Sequence, residues 1–283
     1  MSNAEMVEYW NQSAGPVWVA QQERLDAQIG RFGALARERA AIRAGERVLD
    51  VGCGCGSTTL ELANAVGAGG HVAAVDISRP MLERAQERAR DARLDARIAF
   101  RLDDAQAAAF EAAAFDVVFS RFGVMFFADP VAAFANLRRT LRPGGRVAFV
   151  CWQPREKNPW MMAPVMAAAQ HIPLPAPPPP DAPGPFAFGD AARVRGILEA
   201  AGFAKVAHEA VNGPMRLAGD SVDEALELFL QIGPLGALMR EVKPSEEQRD
   251  RVIGAVRKVI ESFQTPRGFE AEAGAWIVTA ERG

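Results

Sequence analysis

The sequence predicts an α/β fold: a doubly wound, mostly parallel sheet with helices on both faces and a helical cap. Short apolar runs of strand length alternate with helical segments between residues 45 and 152. This alternation is typical of parallel sheets that are covered on both faces. The chain has 283 residues, 49% of them hydrophobic, which is enough for one large core with material left for a cap.

Turn and cap signals place the elements along the chain. The first 44 residues have a helical, partly amphipathic pattern. The predicted strands are 47–51, 71–75, 97–101, 115–120, 146–152, 204–211 and 275–280. The predicted helices are 57–66, 78–92, 130–141 and 190–201, and two more lie within 220–263, separated at Gly233-Pro234. Ser57, Ser78 and Asp190 are the predicted caps of the helices that they begin.

The pattern divides the chain into a lid, a sheet domain and a cap. The predicted parts are an N-terminal helical lid at 1–44 and a main domain at 45–283, with cap insertions at 153–189 and 212–272. Eight prolines lie between Pro173 and Pro185, too many for a helix or an inner strand. We expect a stiff, extended loop there, which suits either a surface spacer or a lid over the site.

Composition and charge exclude several classes of partner. The formal charge of −3 leaves no basic surface for nucleic acid or for an anionic membrane. The three cysteines form no disulfide framework and suit a reducing cytosol. We see neither a signal peptide nor an apolar run of membrane-spanning length. The expectation is a cytoplasmic enzyme that acts on a small molecule, with a homodimer as one option for its assembly.

A glycine-rich turn follows the first predicted strand, in the run Val48-Leu49-Asp50-Val51-Gly52-Cys53-Gly54-Cys55-Gly56. Such a turn lets a ligand approach the backbone closely, and several cofactors use one. A dinucleotide turn would carry Gly or Ala where Ser57 stands. Asp50 would repel a pyrophosphate but would suit a ligand with a positive amino group and no phosphate. S-adenosylmethionine is such a ligand.

Acidic residues also follow the next two strands. Asp76 ends the second strand, where a carboxylate can accept hydrogen bonds from both ribose hydroxyls. Asp103 and Asp104 follow the third strand, where a carboxylate can accept from the exocyclic amine of adenine. All of these strand ends should meet at the carboxyl edge of the sheet, where such folds bind ligands. Helix caps and turn acids are the structural alternative at each position.

These motifs together resemble the class I S-adenosylmethionine-dependent methyltransferases, in the branch of the ubiquinone and menaquinone biosynthesis methyltransferases and their small-molecule relatives. The run 48–56 resembles the first motif of the family, 75–78 its ribose-binding strand end, 104–105 its adenine motif, 115–120 its fourth strand and 141–145 the turn before its fifth. The resemblance implies seven strands with an antiparallel last one. It departs from the family at Asp103, where Gly is usual, so either Asp103 or Asp104 is the one that faces adenine.

The residues expected to bind the cofactor lie on the glycine loop, at the next strand ends and in the lid. They are Asp50, Gly52, Cys53, Gly54, Gly56, Asp76, Ile77, Met81, Asp104, Ala105, Ser120, Tyr9 and Trp10. We expect Tyr9 and Trp10 to cover the cofactor, although they could instead fix the lid to the sheet. Cys53 and Cys55 lack further ligand partners, so no metal site is expected.

The acceptor should lie at the ends of strands four and five. The candidates for acceptor binding are Arg121, Phe122, Met125, Trp152, Asn158 and Trp160. Arg121 could hold an anionic acceptor or pair with a structural acid. His171 and Arg121 are the catalytic candidates, and the sequence marks no general base. An apolar cavity is expected from Trp152, Trp160, Met161, Met162, Phe186, Phe188 and Phe229, although these residues could simply pack the cap.

The predicted activity is therefore methyl transfer from S-adenosylmethionine to a small, largely apolar or aromatic acceptor. Two other functions compete with it. A nicotinamide-dependent oxidoreductase on the same fold would need Gly or Ala at position 57 and no acid at position 50. A non-catalytic S-adenosylmethionine-binding module would keep the ligand acids without needing a cap large enough for a second pocket.

Overall fold

A computed structural model describes residues 3–179, 181–217 and 219–283 and has the predicted doubly wound α/β architecture. The strands are β1 (Arg47–Val51), β2 (His71–Asp76), β3 (Ile98–Leu102), β4 (Phe115–Arg121), β5 (Leu141–Trp152), β6 (Phe203–Arg216), β7 (Gln264–Thr265) and β8 (Gly268–Arg282). The helices are α1 (Asn3–Glu8), α2 (Ala14–Ala20), α3 (Gln22–Ala40), α4 (Ser57–Val66), α5 (Arg79–Asp91), α6 (Pro130–Thr140), α7 (Pro159–Ala168), α8 (Ala191–Ala200), α9 (Val222–Gln231), α10 (Gly233–Val242) and α11 (Glu246–Ser262). A π-helical turn, Tyr9–Ser13, joins α1 to α2.

Seven strands form the main sheet in the order β3-β2-β1-β4-β5-β8-β6. The strands β1 to β5 pair in parallel, and β8 lies antiparallel between β5 and β6. The antiparallel last strand is thus confirmed. It is longer than expected, because its first residues continue along β6 and pair with the two-residue strand β7.

Chain order explains where the helices lie. The chain moves outward from β1 to β3 on one side and then crosses to β4 and β5 on the other, so right-handed crossovers deposit helices on both faces. Helix α3 packs against α4 and the second half of the sheet, while α6 and α8 pack together and against β5 and β6. Phe119, Phe134 and Phe149 are fully buried between these layers.

The three predicted helix caps differ in their outcome. The cap at Ser57 is wrong, because Gly56 precedes α4 in a left-handed conformation (φ 81°) and Ser57 is already helical. Ser78 does stand before α5, but its side chain makes no capping bond, because its Oγ donates to the Trp10 carbonyl at 2.8 Å. The cap at Asp190 is confirmed, since its carboxylate accepts from the Ala192 amide at 2.8 Å.

The cap contains more helix than the sequence pattern indicated. Helix α7 lies in the cap insertion at 153–189, for which no helix bounds were predicted, and Pro164 lies inside it. Three helices instead of two fill the region 222–262. The predicted break at Gly233-Pro234 is present, since these residues begin α10 after α9, but a second break follows at Lys243 (φ 47°), and Ser245 then caps α11. Proline fits the first helical turn, whose amides have no partner within the helix. Helices α7, α9, α10 and α11 pack against one another.

The proline-rich segment follows α7 as a loop without regular structure in its described part, and Pro180 lies outside the described residues. A main-chain bond from Gly184 to the Met125 carbonyl, 3.1 Å long, docks it beside the end of β4. Within the described ranges, no helix has the length and apolar character needed to cross a membrane.

Candidate functional site

A cavity of about 690 Å³ lies at the carboxyl ends of β1 to β5. Its walls come from the N-terminal segment and α3, from the glycine loop, from the strand ends, from the proline-rich loop and from the α9–α10 corner. This is the edge of the sheet where open α/β folds bind their ligands, because the strand order reverses there between β1 and β4.

Asp50 is the most unusual polar group in this cavity. Its side chain is only 1% exposed, and Thr59 Oγ1 in α4 donates to its Oδ2 at 2.7 Å. The other oxygen, Oδ1, is buried without a hydrogen-bond partner among the described residues. Burial raises the pKa of this carboxyl to about 7. A cationic group of a ligand would satisfy the oxygen and favour the ionised form.

Close backbone contacts shape the glycine loop. Gly52 has φ 67°, and a Cβ built on it would lie 2.8 Å from the Gly123 Cα. Its amide donates to the Val75 carbonyl at 2.9 Å, which ties β1 to β2. Ser120 Oγ donates to the Val51 carbonyl at 2.7 Å and ties β1 to β4. The loop is therefore fixed from both neighbouring strands.

Asp76 ends β2 and is held by main-chain amides. Its Oδ2 accepts from the Gly54 amide at 2.7 Å, and its Oδ1 accepts from the Ser78 amide at 2.8 Å. The Ile77 amide also contacts this carboxylate, and a carboxylate has about four acceptor sites in all, so it can still accept from a ligand. Burial raises the pKa of Asp76, while the amide hydrogen bonds oppose that rise. These contacts make Asp76 a fixed double acceptor at the cavity wall.

Both acids after β3 line the cavity, but their partners differ. The guanidinium of Arg101 pairs with the Asp103 carboxylate, with Nε to Oδ2 at 2.8 Å. Asp104 instead accepts from the amide of Gln106, two residues on, at 3.0 Å. Gln106 in turn accepts at its Oε1 from the amides of Ala128 and Asp129. The carboxylate of Asp103 is thus held by an ion pair, whereas that of Asp104 is held by hydrogen bonds from the main-chain and side-chain amides of Gln106.

Arg121 belongs to an ion-pair network. Pairing with a structural acid was one of the two roles predicted for it. Its Nη2 lies 2.8 Å from Asp26 Oδ1 on α3, and Arg88 Nη1 on α5 lies 3.1 Å from Asp26 Oδ2. Gln22 also donates to Asp26. The side chains of Arg121 and Asp26 are 13% and 19% exposed, and both line the cavity. This network joins α3 to the sheet domain.

Aromatic rings form the wall beside Arg121. Phe122 has a left-handed backbone (φ 60°), which is uncommon for a bulky residue. This conformation stacks its ring on Trp152, with centroids 4.2 Å apart and planes 20° apart. Trp160 meets Trp152 edge-on at 5.6 Å, and Phe229 of α9 lies 6.3 Å from Trp160.

Most of the predicted site residues line this one cavity. Those that do are Asp50, Gly52, Cys53, Gly54, Asp76, Ile77, Met81, Asp104, Ala105, Tyr9, Trp10, Arg121, Phe122, Met125, Trp152, Trp160, Met161, Met162, Phe186 and Phe229. The thiols of Cys53 and Cys55 are both buried, and burial raises their pKa values, so they remain protonated packing groups.

Five predicted residues do not line it, which corrects the expected lining. Gly56 packs on Ala85 instead, since a Cβ there would lie 2.8 Å from the Ala85 Cβ. Ser120 bonds β1, as described above. Asn158 is fully buried and bonds the carbonyls of Gln153 and Gly274. Phe188 is buried against Phe134 and Phe149, and His171 lies in the turn after α7.

The sequence reasoning missed the cavity residues of the first three helices. The missed residues include Met6, Trp18, Gln22, Leu25, Asp26, Gln28 and Ile29. The spacing of Gln22, Leu25, Gln28 and Ile29 at three and four residues was a detectable signal, because these positions form one face of α3. Because Gln22 and Gln28 are polar, this face of α3 does not show the continuous apolar periodicity that predicts a buried helix face.

Comparison with known proteins identifies the domain. The methyltransferase domain family, Methyltransf_25, matches residues 48–145, the stretch that carries the glycine loop and the strand-end acids. Residues 48–145 of this chain are thus similar to the methyltransferase domains of this family. The aklanonic acid methyltransferase DauC of Streptomyces sp. (strain C5) is 40% identical to it over 105 residues, 37% of this chain and 47% of that protein.

Two further likenesses extend beyond the methyltransferase domain. The nocamycin O-methyltransferase of Saccharothrix syringae is 33% identical over 177 residues, 58% of this chain and 61% of that protein. The alignments thus span about half the length of these curated relatives. The crystal structure of the [4+2]-cyclase SpnF has a TM-score of 0.58 at 19% identity and covers 96% of this chain and 97% of that one. This likeness shows the fold alone.

Proposed function

We propose that the chain is an S-adenosylmethionine-dependent methyltransferase that acts on a small, largely apolar or aromatic acceptor. The observation that carries the proposal is the buried Asp50 carboxylate at the cavity, with one oxygen lacking a partner among the described residues. A buried unpaired acceptor is costly unless a ligand satisfies it. The amino group of S-adenosylmethionine is cationic and would do so.

The remaining residues of the cofactor side fit the same ligand. Asp76 would accept from the ribose hydroxyls with its free lone pairs, and Asp104 would accept from the adenine amine. Asp103 is the poorer candidate for adenine, because Arg101 already holds its carboxylate. Gly52 and Gly54 leave room for a ligand against the backbone, since both have a positive φ and no side chain.

When bound, the cofactor would supply a methyl group on a sulfonium for in-line displacement. The chain's own part would be to align the acceptor and exclude water, and positioning of this kind accounts for a large share of rate enhancement. The Phe122–Trp152 stack forms a flat apolar surface at the ends of β4 and β5. Met161, Met162 and Phe186 extend it with adaptable apolar groups.

The character of the acceptor follows from this enclosure. A cavity roofed by α3, the proline-rich loop and the α9–α10 corner suits a small molecule better than a macromolecule, which would need an open groove. The names of the curated relatives refer to small molecules, aklanonic acid and nocamycin, which supports the same class. Arg121 is paired with Asp26, so its primary role is in the network and not as an anion site.

The two competing functions are less well supported. A nicotinamide dinucleotide would bring its pyrophosphate near Asp50, with no basic side chain from the glycine loop to compensate. A non-catalytic module would have no need of the aromatic half of the cavity.

Calorimetry and a methyl-transfer screen test the proposal. Titration with S-adenosylmethionine, S-adenosylhomocysteine and NAD should show binding of the first two only. Methyl-labelled S-adenosylmethionine should then transfer label to one or more members of a panel of phenols, quinones, amines and keto acids, with tRNA and protein extract as controls. Label found only in a macromolecule would refute the acceptor class, and NAD binding alone would refute the cofactor.

A further inference from the structure

The N-terminal segment is bonded directly to the loop that follows Asp76. Asn11 lies in the π-helical turn and contacts this loop with both ends of its amide. Its Nδ2 donates to the Ile77 carbonyl at 2.8 Å, and its Oδ1 accepts from the Arg79 amide at 2.9 Å. The second Nδ2 hydrogen goes to the Val7 carbonyl of the preceding helix at 2.7 Å. One Nδ2 hydrogen and the Oδ1 therefore join the two segments, while the other Nδ2 hydrogen stays within the N-terminal segment.

A second contact supports the same junction. Ser78 Oγ donates to the Trp10 carbonyl at 2.8 Å, while the Ser78 amide donates to Asp76 Oδ1. Gly15 lets the segments approach this closely, because a Cβ there would lie 2.1 Å from the Trp10 oxygen and 2.5 Å from Ser78 Oγ. The residue that fixes Asp76 thus also bonds the lid.

The π-helical turn gives Trp10 two roles at once. Its carbonyl accepts from Ser78, while its ring lines the cavity and meets Phe126 edge-on with centroids 5.2 Å apart. A π-helical turn inserts one extra residue into a helix and often marks a functional site. Trp10, whose ring lines the cavity, and the Asp76 carboxylate are therefore connected through Ser78, which bonds the first with its Oγ and the second with its amide.

We propose that Asn11 is a positioning residue for the cofactor. It holds the loop Ile77–Arg79 and so sets the Asp76 carboxylate. Because the same bonds order the N-terminal segment, occupation of the site and ordering of the lid reinforce each other. Binding free energies are reciprocal, so a ligand that needs the ordered lid must also stabilise it. This inference rests on the proposed use of S-adenosylmethionine.

The test is the affinity for S-adenosylhomocysteine in two matched variants. Asn11→Ala removes the contacts with the loop, whereas Gln12→Ala changes the next, exposed residue of the same turn. Loss of these hydrogen bonds should raise the dissociation constant roughly ten-fold in the first variant and less than two-fold in the second. The turnover number at saturating cofactor should change little in either, because Asn11 does not line the cavity.

The second measurement is hydrogen exchange. A purely structural role of Asn11 would not change the protection that the ligand induces in residues 9–15. Hydrogen exchange of the amides of residues 9–15 should slow when S-adenosylhomocysteine binds the unmodified chain and the Gln12→Ala variant. In the Asn11→Ala variant, saturating ligand should slow exchange in the glycine loop but not in residues 9–15. Ser78→Ala breaks the parallel bond, and its effect on affinity should be less than additive with that of Asn11→Ala.

The outcomes separate the two proposals. If the unmodified chain binds no S-adenosylhomocysteine, the proposed function fails. If it binds, but Asn11→Ala matches the Gln12→Ala control in affinity and in ligand-induced protection of residues 9–15, the proposed role of Asn11 fails while the function stands. Melting curves of the ligand-free variants show whether each remains folded at the temperature of the titration.

Discussion

Thr59 Oγ1 donates to Asp50 Oδ2 at 2.7 Å, which fixes the carboxylate between β1 and α4. The other oxygen, Oδ1, is buried without a partner in the described part of the chain, and Asp50 lines the cavity. One oxygen therefore serves the fold, and we propose that the other serves a ligand. The raised pKa of this group leads to two predictions, and three more concern its neighbours.

The first prediction concerns stability and pH. The pKa of Asp50 is about 7 in the folded chain, above the ordinary value of 3.8, so the folded state favours the protonated form. Its contribution is complete below about pH 4 and is lost as the pH rises toward 7. The free energy of unfolding, measured with denaturant from pH 4 to pH 8, should decline more steeply in the unmodified chain than in Asp50→Asn, which keeps only the raised pKa of Asp76. Parallel curves for the two proteins would contradict the assignment.

The second prediction concerns affinity and pH. A cationic amino group favours the ionised carboxylate, so binding of S-adenosylhomocysteine should tighten as the pH rises to about 7 and then level off. Below that pH the dissociation constant should change by up to about ten-fold per pH unit. Calorimetry in buffers of different ionisation heat should also detect proton release. Asp50→Asn should bind weakly, with little dependence on pH.

Asp76 carries the third prediction. Asp76→Ala should weaken S-adenosylhomocysteine by ~1–3 kcal/mol, because it removes a fixed carboxylate acceptor. Asp95→Ala is the control, since Asp95 is an exposed acid in the short turn before β3. Calorimetry measures both variants. Unchanged affinity in Asp76→Ala would remove the ribose assignment.

Gly54 carries the fourth prediction. It has φ 54°, and a Cβ built on it would lie 2.9 Å from the Met81 Cε, so Gly54→Val should abolish cofactor binding. Gly254→Ala is the contrasting change, because nothing lies within 4 Å of its Cβ position in α11. That variant should bind normally and should be more stable by roughly 0.5–1 kcal/mol, as measured by denaturant unfolding. Normal binding by Gly54→Val would make this glycine a turn residue only.

The fifth prediction concerns the network around Asp26. Asp26→Asn leaves Arg121 and Arg88 charged and mostly buried without their carboxylate, so the free energy of unfolding should fall by about 2–4 kcal/mol. Adding Arg121→Met should recover part of that loss. Glu247→Gln breaks an exposed pair with Arg251 and should cost almost nothing. If Asp26→Asn is as stable as that control, the network does not hold α3 to the sheet domain.

Local sequence patterns determined the order of the sheet elements, the glycine loop and the acids at the strand ends. Apolar runs that end in Gly or Asp indicate the carboxyl edge of a parallel sheet. Such a pattern involves only residues that are close in sequence, so it can be recognised without the tertiary structure. For this reason the amino-acid sequence alone places Asp50, Asp76 and Asp104 at one site. The family resemblance also predicted the antiparallel last strand, although not its length.

Tertiary structure alone decided which of the other candidates reach the cavity. Asn158 and Ser120 stand at suitable positions in the chain, yet their polar atoms are consumed by neighbouring strands. Asp26, in contrast, lies 95 residues from Arg121 in sequence and meets it only because α3 packs across the sheet. Residue order determines which side chains end a strand, whereas packing of distant segments determines which partners they find.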